Sequence, residues 1–212
     1  MQVIEFLGQA RSGKTTQVLL LKKFLEQKGY NVTLSLDRER AKQVHAPVSD
    51  CLAFNLIFHS KVIDEYYHAK NTGTIDFFIV DRGFCDVAIW AEVLWKLKQI
   101  TKEESMSYKN CWKRFRKLVN LTFHFELPLD VLFDRQKKLT TEAVDEVIMN
   151  KKWMKTLEEV YQLQKKDFPS CVEIDGLKSI EETKRIIESE IEPLLKKQLL
   201  QKELNKYKKI NN

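Results

Sequence analysis

Short apolar runs alternate along the chain with longer stretches of helical periodicity. Residues 3–7, 31–36, 75–80, 121–126 and 171–174 have strand length, and 75–80 is dominated by β-branched and aromatic residues, as in a strand buried on both faces. Helical patterns occupy about 15–28, 50–70, 85–98, 103–118, 129–138 and 151–165. Gly29 stops the first, and residues 71–73 stop the second, where Leu52, Leu56, Val62, Ile63 and Tyr66 recur near helical spacing. The last helix opens at Ser179 with Glu182 three residues on, the outline of a capping box, and runs through a kink at Pro193 to about Tyr207. Strands that alternate with helices of this length predict an α/β fold, with a five-stranded parallel sheet flanked by crossover helices.

Length and composition fit one domain. The 212 residues, 43% of them hydrophobic, support one core, and there is no internal repeat or low-complexity segment. We therefore expect a domain over 1–193 and, over 194–212, a basic helical extension of the same domain. The apolar start, 1–7, is short and lacks a basic stretch, which predicts a buried strand and not a signal peptide. Charged residues interrupt every run well before the roughly 18 apolar residues of a membrane helix, so no membrane association is expected and the expected compartment is the cytoplasm. Cys51, Cys85, Cys111 and Cys171 are too scattered for a zinc knuckle or a disulfide framework and predict reduced thiols. The net charge of +6 is concentrated at one end: six lysines and one glutamate between Leu194 and Asn212 account for five of those charges. That distribution describes a solvated helix end and argues against a nucleic-acid groove.

The chemistry lies in one contiguous motif. Gly8-Gln9-Ala10-Arg11-Ser12-Gly13-Lys14-Thr15 matches GxxxxGK[ST] between a predicted strand and a predicted helix. Gly8 and Gly13 permit backbone conformations that let successive N–H groups, from Ala10 and Ser12 through Thr15 and Thr16, converge on phosphate oxygens at a helix N-terminus. Lys14 is expected to reach the β- and γ-phosphates of ATP, and the Thr15 hydroxyl to ligate Mg²⁺. A metal site of this kind also needs an acid at the end of a buried strand, and Asp81 follows 75–80. Arg82 beside it is suited to hold an anionic oxygen.

At these residues the sequence resembles the thymidylate kinase family and its nucleotide-kinase relatives. Gly8 to Gln17, GQARSGKTTQ, is similar to that family's phosphate-binding loop, including the arginine within it, Arg11. Asp81-Arg82 resembles its Asp-Arg-Tyr motif; FHFELPLDVLFDR from Phe123 to Arg135 resembles its strand, proline and lid-proximal helix; CVEIDGLKSIEETKRII from Cys171 to Ile187 resembles its closing strand and helix. The resemblance implies a P-loop NTPase fold with a helical lid, here 139–150, and a long C-terminal helix. It implies ATP as phosphoryl donor, Mg²⁺, catalytic roles for Lys14, Arg11, Asp81 and Arg82, and a nucleotide-binding role for Arg135. Arg11 is similar to the loop arginine of a subtype whose lid is poor in arginine, and 139–150 contains none.

The acceptor side departs from the family. Ala10 stands in place of an aspartate, Gly83 in place of the tyrosine, and Asp37-Arg38-Glu39-Arg40 in place of the Arg-Glu-Pro-Gly-Gly type of segment. Arg38 and Arg40 either clamp an acceptor phosphate, with Arg82, or form a solvated charge run; Phe54 and Phe58 either stack on a base or belong to the core. The four histidines, at 45, 59, 68 and 124, show no metal-ligand spacing and read as structural. Trp90, Trp95, Trp112 and Trp153 lie on predicted helices and read as packing residues, and the helical segment after Asp81 is where the resemblance allows a homodimer. The expected function is phosphoryl transfer to a small acceptor, first a (deoxy)nucleoside monophosphate. The alternatives are a nucleoside or other small metabolite, and a regulatory nucleotide-binding protein with little turnover.

Overall fold

The computed structural model describes residues 1–137 and 151–210. The expected lid, 139–150, lies outside the described residues. Five strands, β1 (Gln2–Gly8), β2 (Val32–Ser35), β3 (Phe77–Asp81), β4 (Leu121–Glu126) and β5 (Cys171–Asp175), form an all-parallel sheet in the order β2-β3-β1-β4-β5. The crossovers are α1 (Lys14–Gln27), a short α2 (Asp37–Ala41), α3 (Cys51–Thr72), α4 (Asp86–Lys96), α5 (Lys102–Arg116), α6 (Leu129–Lys137) and α7 (Lys151–Gln164). Two helices, α8 (Ile180–Glu190) and α9 (Glu192–Ile210), close the described chain.

Alternation along the strands divides the core. Val3 and Leu7 of β1 and Phe78 and Val80 of β3 face α3, α4, α5 and α7, whereas Ile4, Phe6, Phe77 and Ile79 face α1, α8 and α9. Burial on both faces is why these strands read as unbroken apolar runs. Glu5 is the exception on β1: it shares the face of Val3 and Leu7 and is fully buried. Parallel pairing sets Phe6 opposite Asp81, so the loop after β1 and the turn after β3 leave the sheet side by side. The carboxyl ends of such strands are where α/β sheets bind ligands.

The single kinked helix expected to run from Ser179 is two helices, with the break at Ile191. Pro193, second in α9, sits where its missing N–H is not needed. The expected capping box forms: Ser179 Oγ accepts from Glu182 N–H while the Glu182 carboxylate accepts from Ser179 N–H. Part of the basic end is tied to the domain, since Lys202 and Gln198 reach the Asp76 carboxylate at 2.7 and 2.8 Å.

Candidate active site

Gly8 enters the loop after β1 at φ 132°, and a Cβ there would lie 2.5 Å from the Phe125 carbonyl oxygen, so no other residue fits. Gly13 caps α1 at φ 97°, and Arg11 between them is also left-handed, at φ 65°. This path leaves the first-turn amides of α1 open, since α1 has no side-chain N-cap. Lys14 opens the helix and turns its Nζ back over the loop, donating to the Gln9 carbonyl at 2.8 Å and to Ser12 Oγ at 3.4 Å. Burial, with Arg82 nearby, pushes this ammonium down to about 8 against the pull of Asp81 and Asp37. A cation held this uncomfortably suits an anionic partner. Thr16, next on α1, is exposed.

Thr15 donates to Asp81 Oδ2 at 2.6 Å, joining loop and strand end as the sequence predicts. Asp81 Oδ1 is buried and has no hydrogen-bond partner among the described residues. Burial raises the Asp81 carboxyl above its usual range despite the adjacent Lys14. A hydroxyl and a carboxylate with one unmatched buried oxygen form a donor set of the hard-oxygen kind that Mg²⁺ prefers.

Arg82 takes the left-handed conformation, φ 56°, one residue past the strand. Its Nη2 donates to the Gly8 carbonyl at 3.2 Å and its Nη1 lies 3.3 Å from Asp37 Oδ2. Burial disfavours its charge, but Asp37, Tyr161, Asp86 and Asp81 outweigh burial and hold the guanidinium above its ordinary value. Arg135 on α6 donates to the carbonyls of Arg11, at 3.1 Å, and Gly176, at 3.0 Å, and so braces the loop at its turn.

A cavity of about 400 Å³ opens beside these groups. Ala10, Arg11, Lys14, Thr15, Asp81 and Arg82 line one end, and Asp37 and Arg38 of α2 one wall. Phe54 and Phe58 of α3 lie parallel, 6.2 Å apart at 11°, and line it together with Trp90 and Trp153. Phe58 is thus both core and cavity floor, 5% exposed. Arg40 corrects the expectation: it is fully buried, faces away from the cavity and donates to Ser35 Oγ and to the carbonyls of Asp81, at 2.7 Å, and Arg82. No clamp of Arg38 with Arg40 on an acceptor phosphate is built. The five-residue α2 decides this by presenting Asp37 and Arg38 outward and Arg40 inward.

Several residues went unnoticed in the sequence. Asp37 is the carboxylate of the cavity wall, hidden in a run of four charged residues. Glu5 accepts the N–H groups of Gly83, Cys85 and Asp86, at 2.8 to 3.2 Å. Its signal was available, since one acid inside a strand buried on both faces requires donors. Tyr161 of α7 accepts from Gly8 N–H at 3.2 Å and donates to Asp86 Oδ1 at 3.3 Å; Asp86 in turn meets His59 Nε2 at 3.4 Å. His59 and His124 are buried, as their structural reading implies, and Trp90 and Trp112 are core while Trp95 is 37% exposed.

No family model and no curated protein matches the sequence. Solved structures do match the fold. The deoxyadenosine kinase from M. mycoides with bound dATP superposes with a TM-score of 0.66 at 16% identity, over 90% of this chain and 99% of that one. The same enzyme with dCTP gives 0.63 at 18%, and with the products dCMP and a flexible dCDP 0.63 at 17%, each over 90% of this chain and 98% of that one. With its five parallel strands and the glycine loop between β1 and α1, the chain has the P-loop fold of those kinases.

Proposed function

We propose that the protein is an ATP- and Mg²⁺-dependent kinase that phosphorylates a hydroxyl of a (deoxy)nucleoside. The observation that carries the choice of acceptor is Asp37, a carboxylate on the cavity wall 3.3 Å from Arg82 and on the same helix as an Arg40 turned away. A monophosphate acceptor needs converging cations and is repelled by a carboxylate; a hydroxyl needs an acceptor for its proton. The likeness to deoxyadenosine kinases in fold points the same way.

In this reading the open amides after Gly8 and the Lys14 ammonium hold the β- and γ-phosphates. Thr15 Oγ1 and Asp81 hold Mg²⁺, which when bound neutralises charge on those oxygens. The acceptor base enters between Phe54 and the Trp90–Trp153 side, with Phe58 beneath it. Its hydroxyl oxygen attacks the γ-phosphorus in line, its proton passes to Asp37, and the bond from phosphorus to the bridging oxygen breaks with its electron pair leaving on ADP. Arg11 and Arg82 meet charge developing on the transferred group.

The test is ADP release from ATP and Mg²⁺ in the presence of deoxyadenosine, deoxycytidine, thymidine and their 5′-monophosphates. Release with a nucleoside and none with its monophosphate supports the reading. Turnover confined to monophosphates restores the acceptor first expected from the sequence, and turnover with neither overturns the kinase assignment.

A further inference from the structure

Arg40 is the largest fully buried side chain among the described residues, and it is a cation. Taking a guanidinium out of water costs several kcal/mol unless its donors are matched. Here its two Nη groups are matched, mostly by main chain, while Nε has no hydrogen-bond partner among the described residues. Nη1 donates to Ser35 Oγ, whose own hydroxyl donates to Glu65, and Nη2 donates to both the Asp81 and the Arg82 carbonyls. The guanidinium also lies 4.7 Å over the ring of Phe58. Among the described residues no carboxylate bonds it directly; Asp37, Glu65, Asp81 and Asp86 offset its burial only in part, through their field.

The carbonyls it holds belong to an unusual turn. Arg82 is left-handed without being glycine, a conformation costing about 1 kcal/mol or more that neighbours must enforce. Glu5 takes the amides of the same turn, at Gly83, Cys85 and Asp86. A cation on its carbonyls and a carboxyl group on its amides therefore grip the segment that aims the Asp81 carboxylate and the Arg82 guanidinium. Arg40 is also one turn from Asp37 and Arg38 on α2 and backs the floor of the acceptor cavity through Phe58.

We propose that Arg40 is a positioning residue for phosphoryl transfer: its guanidinium locks the turn carrying Asp81 and Arg82 to the acceptor wall formed by α2 and Phe58, fixing the metal-binding carboxylate relative to both substrates. The proposal rests on the reading of Asp81 as a metal ligand given above. It requires a planar fork with several donors, which an ammonium cannot reproduce.

The experiment compares the wild type with Arg40→Met, Arg40→Lys and the milder Ser35→Ala, measuring ATP affinity calorimetrically with and without Mg²⁺, below each protein's melting temperature. The phosphate loop is intact in all, so metal-free affinity should stay within about twofold. The gain in affinity on adding Mg²⁺ should fall about tenfold in Arg40→Met, nearly as far in Arg40→Lys, and about twofold to threefold in Ser35→Ala; tenfold corresponds to about 1.4 kcal/mol. With a nucleoside acceptor, kcat should fall more than the KM for ATP rises. A Mg²⁺ gain unchanged in folded Arg40 variants, or in Ser35→Ala should those not fold, overturns the proposal and leaves only a stabilising role. Loss of metal-free and metal-dependent affinity in equal proportion overturns it as well. A wild type that gains nothing from Mg²⁺ instead removes the metal reading of Asp81, and this proposal with it.

Discussion

Two turns leave neighbouring strands two residues apart in register, and a buried cation sits against each, but the cations are treated in opposite ways. In the loop after β1, Lys14 has only the Gln9 carbonyl and Ser12 Oγ as hydrogen-bond partners among the described residues and is pushed down to about 8. At the turn after β3, Arg40 has its Nη groups engaged by two main-chain carbonyls and a hydroxyl, with an aromatic face beneath. The first arrangement leaves electrostatic attraction to be satisfied by a ligand; the second has consumed it in holding backbone. A buried charge thus marks a binding site when its partners are few, and a structural brace when main chain takes most of its donors.

The largest expected effect on binding tests the first half of that contrast. Lys14→Met should weaken ATP binding by about 10² to 10³-fold, the scale of losing a preorganised cation, while thermal stability stays level or rises because a poorly satisfied ammonium is gone. Calorimetry and thermal unfolding together check this, and an undiminished affinity would remove the phosphate site. Arg40→Met should behave in reverse for stability, lowering the melting temperature by about 5–10 °C as two carbonyls lose a charged donor.

On the wall that α2 provides, Asp37→Asn should lower kcat by about 10² to 10⁴-fold, the range for a lost general base, with ATP affinity retained. Equal losses in binding and turnover would make Asp37 merely a partner of Arg82.

Glu5 gives a pH test of the grip on the β3 turn. Burial raises its carboxyl from the ordinary 4.5 to about 7, against the amides of Cys85 and Gly83 and reinforced by Asp86. The folded chain therefore binds the proton more tightly than the unfolded chain does. Stability from this group is greatest below about 4.5, declines as pH rises toward about 7 and is level above, a span of about 3 kcal/mol. Denaturant unfolding of wild type and Glu5→Gln across that range should show the decline in the difference between them; parallel curves would mean that Glu5 does not titrate there.

The smallest effect concerns the aromatic lining of the acceptor cavity. Phe54→Ala should raise the acceptor KM by about threefold to tenfold with kcat nearly unchanged, as expected for losing about 0.5–1.5 kcal/mol of aromatic contact. A change in kcat alone would place the base elsewhere in the cavity.

The contrast between the two turns is also one of legibility. Eight contiguous residues specify the loop after β1, because the glycine conformations and the first turn of α1 are local requirements. Asp81 was legible as the acid ending a buried strand, and its contact with Thr15 follows from the pairing of β1 with β3. Arg40 was not. In Asp37-Arg38-Glu39-Arg40 every residue is charged, so no apolar period indicates which side chain turns inward, and the answer depends on a five-residue helix resting on α3. The lone acid of β1 announced a need for donors but not which ones.

The sequence by itself determined the α/β class, the five strands, the glycine loop after β1 and the acid that faces it, since strand and helix periods and glycine conformations are properties of short segments. Only the tertiary structure decided that Asp37 lines the cavity while Arg40 braces it, that Glu5 holds the amides of a distant turn, and that the last helix divides at Ile191. Each of those depends on which donors and acceptors the packing of remote segments brings within about 3 Å, and burial then fixes how strongly each charge must be matched.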